Sequence, residues 1–529
     1  MTGRSSTPWY FAALLVVTAI VAGSFWKVTS GRPYFYDEAD YMYAGTRGFI
    51  NNYLDRPSLS TVEFVREGLR LTHDRSQGSN MSKFIRTAGD ITFYRHYHGP
   101  VYAYWIALDQ ALGFHDESGF RGSGLLIHGL VAILIFVTFR IAMPEYAPAA
   151  ALAAAVTFLM NRTALVAATN ITQHVMFGLM AALSLLPLAL FCRTGERRYW
   201  YWMSAAAGVA FATVETSFVL VAAVLFVLLL TAARIGWKPA FQLLLRGTGV
   251  FLLAMLVVWP KGILTLGGLK GYIYLAYIAI VKKTFTPLNP VALWSFKIRT
   301  YPEEFVIPFL ALIAATIFWK KLAARQAAIP YLVYAWMFLG VTMVITAPYT
   351  YYHASLMMSC AVVTGIVFGE IWQSTAAKRV IASAVLVASL IAMDVRFHGE
   401  DAGLNTTPDA RRDLMAWLKS EDHSKTFYVP YVLVPTLHFY MPEISTVGYD
   451  ASWNPETLAS AMAAPGAELL CEIALCDAVE SRVKTTHQNT PVMEADKDLQ
   501  QGPLYSLTAS KTATLSEPRP QGSGQLLKR

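Results

Sequence analysis

The chain has 529 residues, 55% of them hydrophobic and 15% charged, with a formal net charge of +8. A soluble globular domain carries about 25% charged residues, so the composition excludes an ordinary soluble fold. The basic residues are dispersed rather than gathered in a stripe, which argues against a nucleic-acid partner.

Apolar runs long enough to cross a hydrocarbon core of about 30 Å recur along the sequence. About eleven spans are expected, at 9–28, 119–140, 147–163, 172–192, 199–214, 215–233, 245–260, 303–319, 329–347, 354–373 and 379–394. Helices satisfy every backbone polar group within lipid, so the expectation is an all-α polytopic membrane bundle. The first run is too long for a signal peptide, and Phe25-Trp26-Lys27 does not resemble a small-residue cleavage site. It reads as an uncleaved anchor. Glu215 interrupts the 199–233 pair.

The flanking charges set an orientation. Arg4, Arg140, Arg193, Arg197, Arg198, Arg234, Lys238, Lys320, Lys321, Arg325, Lys378 and Arg379 fall on one side if the amino terminus is cytoplasmic. That places 29–118, 261–302, 348–353 and 395–529 outside, on the periplasmic face of a bacterial inner membrane. The domain expectation is a catalytic membrane domain over 1–394, including a first external loop at 29–118. A small α/β periplasmic domain at 395–505 follows, then a disordered tail at 506–529.

The first external loop opens with an acid cluster, Tyr36-Asp37-Glu38-Ala39-Asp40. Only 35 Asp and Glu occur in the chain, so three within four residues at a membrane boundary point to chemistry. Ser60-Thr-Val-Glu63 is a capping box that opens an amphipathic surface helix. A second surface helix is expected over 99–113, behind Arg95-His96-Tyr97-His98. The loop 261–302 carries Lys261, Lys270, Lys282, Lys283, Lys297 and Arg299. External cations in a group suit an anionic ligand such as a lipid phosphate, although any one of them also reads as a snorkelling anchor. An aromatic belt explains the tyrosines of Tyr349-Thr-Tyr351-Tyr352-His353 but not the histidine. Asn170, Gln173 and His174 sit at another outer edge, where a polar helix start is the plainer reading.

Cys192 and Cys360 lie within spans and read as apolar fillers. Cys471 and Cys476 lie in the external tail, where a disulfide and two buried thiols are both open. In that tail, Ala410–Ser420 reads as an amphipathic helix, and the run from Thr426 as a strand, a turn and a short helix.

Asp37-Glu38 after the first span, His98-Gly-Pro-Val-Tyr102 at the start of a surface helix, and the external carboxy-terminal domain together resemble one family. It is the GT-C class of polyprenyl-phosphate-dependent glycosyltransferases, near the protein O-mannosyltransferases and lipid A aminoarabinose transferases. The resemblance implies an enzyme that moves a sugar from a polyprenyl-phosphate donor to a glycan, lipid or protein hydroxyl. It implies Asp37 as general base with Glu38 beside it. It implies donor-phosphate contacts from His98, in place of the lysine of a Lys-Pro-Pro motif, and from Lys261, and a tyrosine before the tenth span that is one of Tyr349, Tyr351 or Tyr352. The residues themselves add Lys282, Lys283, Arg299 and His353 as candidate phosphate contacts, and Tyr36, His96, His174, Tyr349 and Tyr352 as candidate substrate contacts. Where the family carries an acid at the start of the fourth span this chain has none, and Glu215 stands two residues after Thr213. A divalent cation is therefore an open question. A transporter or flippase is the competing reading, weakened by the scarcity of ionisable residues at mid-span.

Overall fold

The computed structural model describes residues 7–29, 31–34, 36–54, 98–264, 272, 289–320, 326–344, 350–404, 410–449, 453–483, 485–488, 490–496 and 501–509. The capping box at 60–63 and its helix lie outside them. The chain packs as two units: one holds residues up to Arg32, Ala44–Pro57 and Tyr94–Thr406, the other Pro33–Tyr43 and the chain from Thr407.

The first unit is helical. In chain order it contains α1 (Thr7–Thr29), the end of α2 (Tyr36–Thr46), α3 (Gly48–Leu54), α4 (Val101–Ala111), α5 (Glu117–Ile141), α6 (Pro148–Leu159), α7 (Arg162–Thr169) and α8 (Gln173–Thr194). Then follow α9 (Arg197–Phe211), α10 (Ser217–Ile235), α11 (Trp237–Val258), α12 (Pro260–Leu264), α13 (Pro290–Thr300), α14 (Pro302–Ile317), α15 (Ile329–Val344), α16 (Ala354–Trp372) and α17 (Ala376–Leu404). Eight helices among the described residues are long and apolar enough to cross a membrane, and two bent pairs, α6–α7 and α13–α14, raise this to ten. Each expected span coincides with a helix. The difference from eleven is α9, whose 15 residues fall short of a full crossing before the chain breaks at Glu215.

Local chemistry sets the helix ends. Asp116 caps α5 by accepting from the Gly119 amide at 2.8 Å. Asn161 starts α7 afresh after α6, and the pair bends by 56°. Pro302 opens α14 after Asn289-capped α13, with a bend of 115°. Gly195 ends α8 at φ 73°, the left-handed conformation that glycine adopts without strain. α16 runs through the middle of the bundle, with 83% of its apolar window buried. It lies close to α5 and α6, because a Cβ on Gly365 would meet Ala154 and Phe139 at under 3 Å.

The second unit carries α18 (Ala410–Ser420), β1 (Thr426–Pro430), α19 (Val434–Tyr440), β2 (Ser445–Tyr449), α20 (Pro455–Met462), β3 (Ala467–Cys471), α21 (Ile473–Glu480), β4 (Thr485–His487) and β5 (Tyr505–Ala509). The sheet order is β2-β1-β3-β5-β4, with β1 parallel to β2 and β3, and β5 antiparallel to β3 and β4. One apolar cluster contains Leu414, Phe427, Val429 and Leu437, and another Leu458, Leu469, Val479 and Leu507. This is the small α/β domain expected from the sequence. Residues 506–509, expected in a disordered tail, form part of β5, where Ser506 and Leu507 are buried and the strand pairs on both edges. Buried Arg411 pairs with Asp496 at 3.1 Å. Cys471 and Cys476 form a disulfide. Cys192 and Cys360 are free and buried.

Candidate functional site

Three breaks in the helical unit bring the polar side chains of one end together. The first is at the start of α4. Gly99 lies flat against the turn after α9, where a Cβ would stand 1.8 Å from the Ala212 carbonyl oxygen. The Val101 amide donates to that same carbonyl at 3.4 Å. This contact places His98 over the α9–α10 break, and His98 Nδ1 lies 2.7 Å from Glu215 Oε2. A carboxylate only accepts, so Nδ1 carries the hydrogen and Nε2 is left on the opposite edge of the ring. Burial opposes ionisation of Glu215, but the charge and hydrogen bond of His98 and the charge of His174 outweigh it. The carboxyl is held below its ordinary value.

The second break is the start of α8. Thr172 is its N-cap residue, yet its side chain makes no capping bond. Thr172 Oγ1 and Gln173 Oε1 are buried with no hydrogen-bond partner, as are Thr216 Oγ1 and Ser217 Oγ at the start of α10. A buried helix start without a cap leaves amide donors unsatisfied and is a ready anion site. His174, in the first turn of α8, packs its ring 4.3 Å from that of Tyr352.

Tyr352 and His353 end the short 3-10 turn Thr350–His353 ahead of α16, the third break. His353 Nδ1 lies 3.0 Å from Lys297 Nζ, and the His353 and Trp294 rings meet edge to face at 5.1 Å. His98 with Glu215, His174 with Tyr352 and His353 with Lys297 thus form three contacting pairs in one polar band, Tyr352 and His353 being neighbours in the chain. In the sequence Lys297 is one of a group of loop cations and Glu215 an acid between two spans, and neither is singled out there as a site residue. The available signals were an acid inside an apolar run, and Lys297 at helical spacing behind Leu293 and Trp294, which together form the buried face of α13.

The other sequence candidates lie elsewhere. Lys261 is half-buried in α12, and Arg299 is exposed in the last turn of α13. His96, Lys282, Lys283, Tyr349 and the side chain of Tyr36 lie outside the described residues.

In the second unit, the acid cluster forms the first turns of α2. Acids suit a helix start, where they meet the amide donors. Glu38 and Asp40 are buried, and Asp37 is half-buried. The approach to the cluster is fixed by α19. The Tyr34 amide donates to Tyr440 Oη at 2.9 Å, and Thr436 Oγ1 donates to the Tyr34 carbonyl at 3.4 Å. The Tyr34 ring stacks on Tyr440 and meets Phe439 edge to face.

Two buried groups in the helical unit hold its frame. Arg121 of α5 donates to the Thr169 carbonyl at 2.5 Å and to the Arg32 carbonyl at 3.1 Å. Trp105 Nε1 donates to Ser123 Oγ, which donates to Asp109 Oδ2 at 2.5 Å, tying α4 to α5. Burial pushes the Asp109 carboxyl up to about 6, against hydrogen bonds from Ser123 and Trp105. With a raised pKa, its stabilising contribution is complete below the unfolded value near 3.8 and is lost as pH rises through about 6. Asp109→Asn is therefore expected to match wild-type stability below pH ~4 and to exceed it above ~6, by at most about 3 kcal/mol. Thermal unfolding across that window checks this, and a variant less stable at every pH would refute it.

Among the described residues no three His, Cys, Asp or Glu side chains come together as metal ligands.

Residues 97–259 match the family model of dolichyl-phosphate-mannose-protein mannosyltransferases. No curated protein matches the chain. Among solved structures the chain is similar to ArnT from Cupriavidus metallidurans in the apo state, with a TM-score of 0.55 at 12% identity, covering 94% of this chain and 98% of that one. The same enzyme bound to undecaprenyl phosphate gives 0.53 at 13%, covering 97% and 100%. The archaeal oligosaccharyltransferase AglB from Archaeoglobus fulgidus, with an inhibitory peptide and a dolichol-phosphate, gives 0.53 at 11%, covering 85% and 66%. The chain is a multi-pass membrane protein with the fold of ArnT and AglB, and its segment 97–259 is similar in sequence to the mannosyltransferase family.

Proposed function

We propose that the protein is a membrane glycosyltransferase that takes a sugar from a polyprenyl-phosphate donor on the periplasmic face and transfers it with inversion. The observation that carries this reading is the His98–Glu215 pair beside the buried, uncapped start of α8, all within the segment similar to the mannosyltransferases. The undecaprenyl phosphate and dolichol-phosphate bound by the structural neighbours support a lipid-phosphate donor.

In this reading the donor phosphate lies against His98 Nε2 and the amides that open α8. As the anomeric C–O bond breaks, its electron pair goes to the phosphate oxygen. Donors already aimed at that oxygen stabilise the transition state more than the ground state. Asp37 takes the proton of the acceptor hydroxyl while that oxygen forms the new bond to the anomeric carbon. The products are the glycosylated acceptor and the free polyprenyl phosphate. A single displacement inverts the anomeric carbon; retention would need a second, nucleophilic carboxylate. Lys261 and Arg299 are proposed as further phosphate contacts, and His174 and Tyr352 as substrate contacts; His353 turns its Nδ1 to Lys297 instead.

The test is reconstitution of the full chain in liposomes with polyprenyl-phosphate sugars and envelope-derived acceptors. Release of polyprenyl phosphate with formation of an inverted glycoside, read by NMR, is the expected result. Net retention would overturn the single displacement. Absence of transfer with every donor would overturn the class.

A further inference from the structure

Lys297 is a cation in an unusual place. Its side chain is only 5% exposed, at the bend between α13 and α14. It forms no ion pair among the described residues; its one hydrogen-bond partner is His353 Nδ1, which accepts one of the three ammonium hydrogens. The nearby acid, Glu304, acts on it only as a longer-range charge, and both Glu304 oxygens are engaged by the amide and hydroxyl of Thr163, at 3.0 and 2.8 Å. Beside Lys297, the Trp294 ring lies 5.8 Å from Nζ, and its Nε1 hydrogen is buried with no partner. Trp294 itself is 5% exposed.

Burying an ammonium without a counter-charge costs several kcal/mol, and a buried indole N–H without an acceptor adds to that cost. A structural lysine would be paired or would snorkel to water. Here two ammonium hydrogens and one indole hydrogen are left at one bend, with no acceptor for them among the described residues. That is the chemistry of a site completed by an anionic oxygen.

We propose that Lys297, Trp294 and His353 form a second anion-binding site, separate from the donor-phosphate contacts at His98, which receives a carboxylate or phosphate carried by the transferred sugar or by the acceptor. The assignment to a substrate rests on the transferase reading, but the site itself does not. It lies beyond residue 259, outside the segment similar to the mannosyltransferases, so it is a feature by which this chain would select its own substrate. Its link to the donor end is the His353–Tyr352–His174 contact. A substrate spanning both sites would bear two anionic groups, and an uncharged hexose on a lipid phosphate would bear one.

The test is isothermal titration of the purified full chain in detergent. All measurements use a His98→Ala background, so that an anion held at the donor site does not contribute. The probes are D-glucuronate, inorganic phosphate and uncharged D-glucose. Glucuronate, phosphate or both are expected to bind, and glucose is not. Lys297→Met should weaken the binding at least about tenfold. Trp294→Phe, which keeps an aromatic ring and removes the N–H, should weaken it about threefold to fivefold. Lys297→Met replaces a buried charge with an apolar chain of similar length and is expected to fold. Binding of glucuronate alone would assign the group to an acidic sugar, and of phosphate alone to a phosphorylated substrate. The site is overturned if neither anion binds, or if both substitutions leave the affinity unchanged. The titration needs no turnover, so a failure of sugar transfer with anion binding intact would strike the transferase reading alone.

Discussion

Asp37→Asn is expected to leave a folded, membrane-inserted protein whose transfer rate falls roughly 10²–10⁴-fold, the usual contribution of a positioned general base. Three acids stand together, but their surroundings differ. Glu38 and Asp40 are buried in the first turns of α2. Asp37, at the first turn, retains contact with solvent. The amide keeps the size of the side chain and removes its basicity, so the loss should fall on the transfer step and leave donor binding intact. Single-turnover release of polyprenyl phosphate, beside donor binding by the same variant, separates the two. Full activity in Asp37→Asn would show that the base lies elsewhere. Asp40→Asn is the matched control and should change stability more than rate.

His98→Ala is expected to lower transfer by about 10²-fold, the scale seen when one donor to a developing oxyanion is removed. Its partner predicts a subtler result. The Glu215 carboxylate, 2.7 Å from Nδ1, accepts the hydrogen on that nitrogen and so fixes the orientation of the ring. Glu215→Gln should keep most of the hydrogen-bonding shape and lower transfer by less than His98→Ala does. For Glu215 itself, a depressed carboxyl means that its contribution to stability is present at neutral pH and is lost as pH falls through its folded value. A transfer rate in Glu215→Gln identical to wild type would remove Glu215 from the mechanism.

The sequence shows the helices more clearly than the site, for physical reasons. Lipid demands long apolar segments, and these stand out in a single chain without any knowledge of their partners. The run at 147–163 hides its bend because the restart at Asn161-Arg162-Thr163 falls at its end and reads as the polar close of a span. The small α/β domain was legible from Ala410–Ser420 and the run after Thr426, where helical spacing gives way to a short apolar strand. The polar band was legible only in pieces. His98 and Glu215 are separated by 117 residues and meet because Gly99 lets one backbone press on another, which no spacing rule contains. Lys297 resembled the other loop cations, since its burial is decided by the packing of α13 and not by its neighbours in sequence. The pairing of Cys471 with Cys476 required the turn from β3 into α21 to be known.

The fastening of Tyr34 by α19 has a consequence for biosynthesis. Tyr34 and Tyr440 are 406 residues apart, so the strand of chain leading to the acids leaves the ribosome long before the side chains that hold it. The bundle can insert and thread its helices while that leading segment still lacks its anchor. Tyr34 is fastened by Thr436 and Tyr440 only once the last domain has folded. A nascent or prematurely terminated chain would therefore carry the acid cluster without the side chains that hold the residue leading into it.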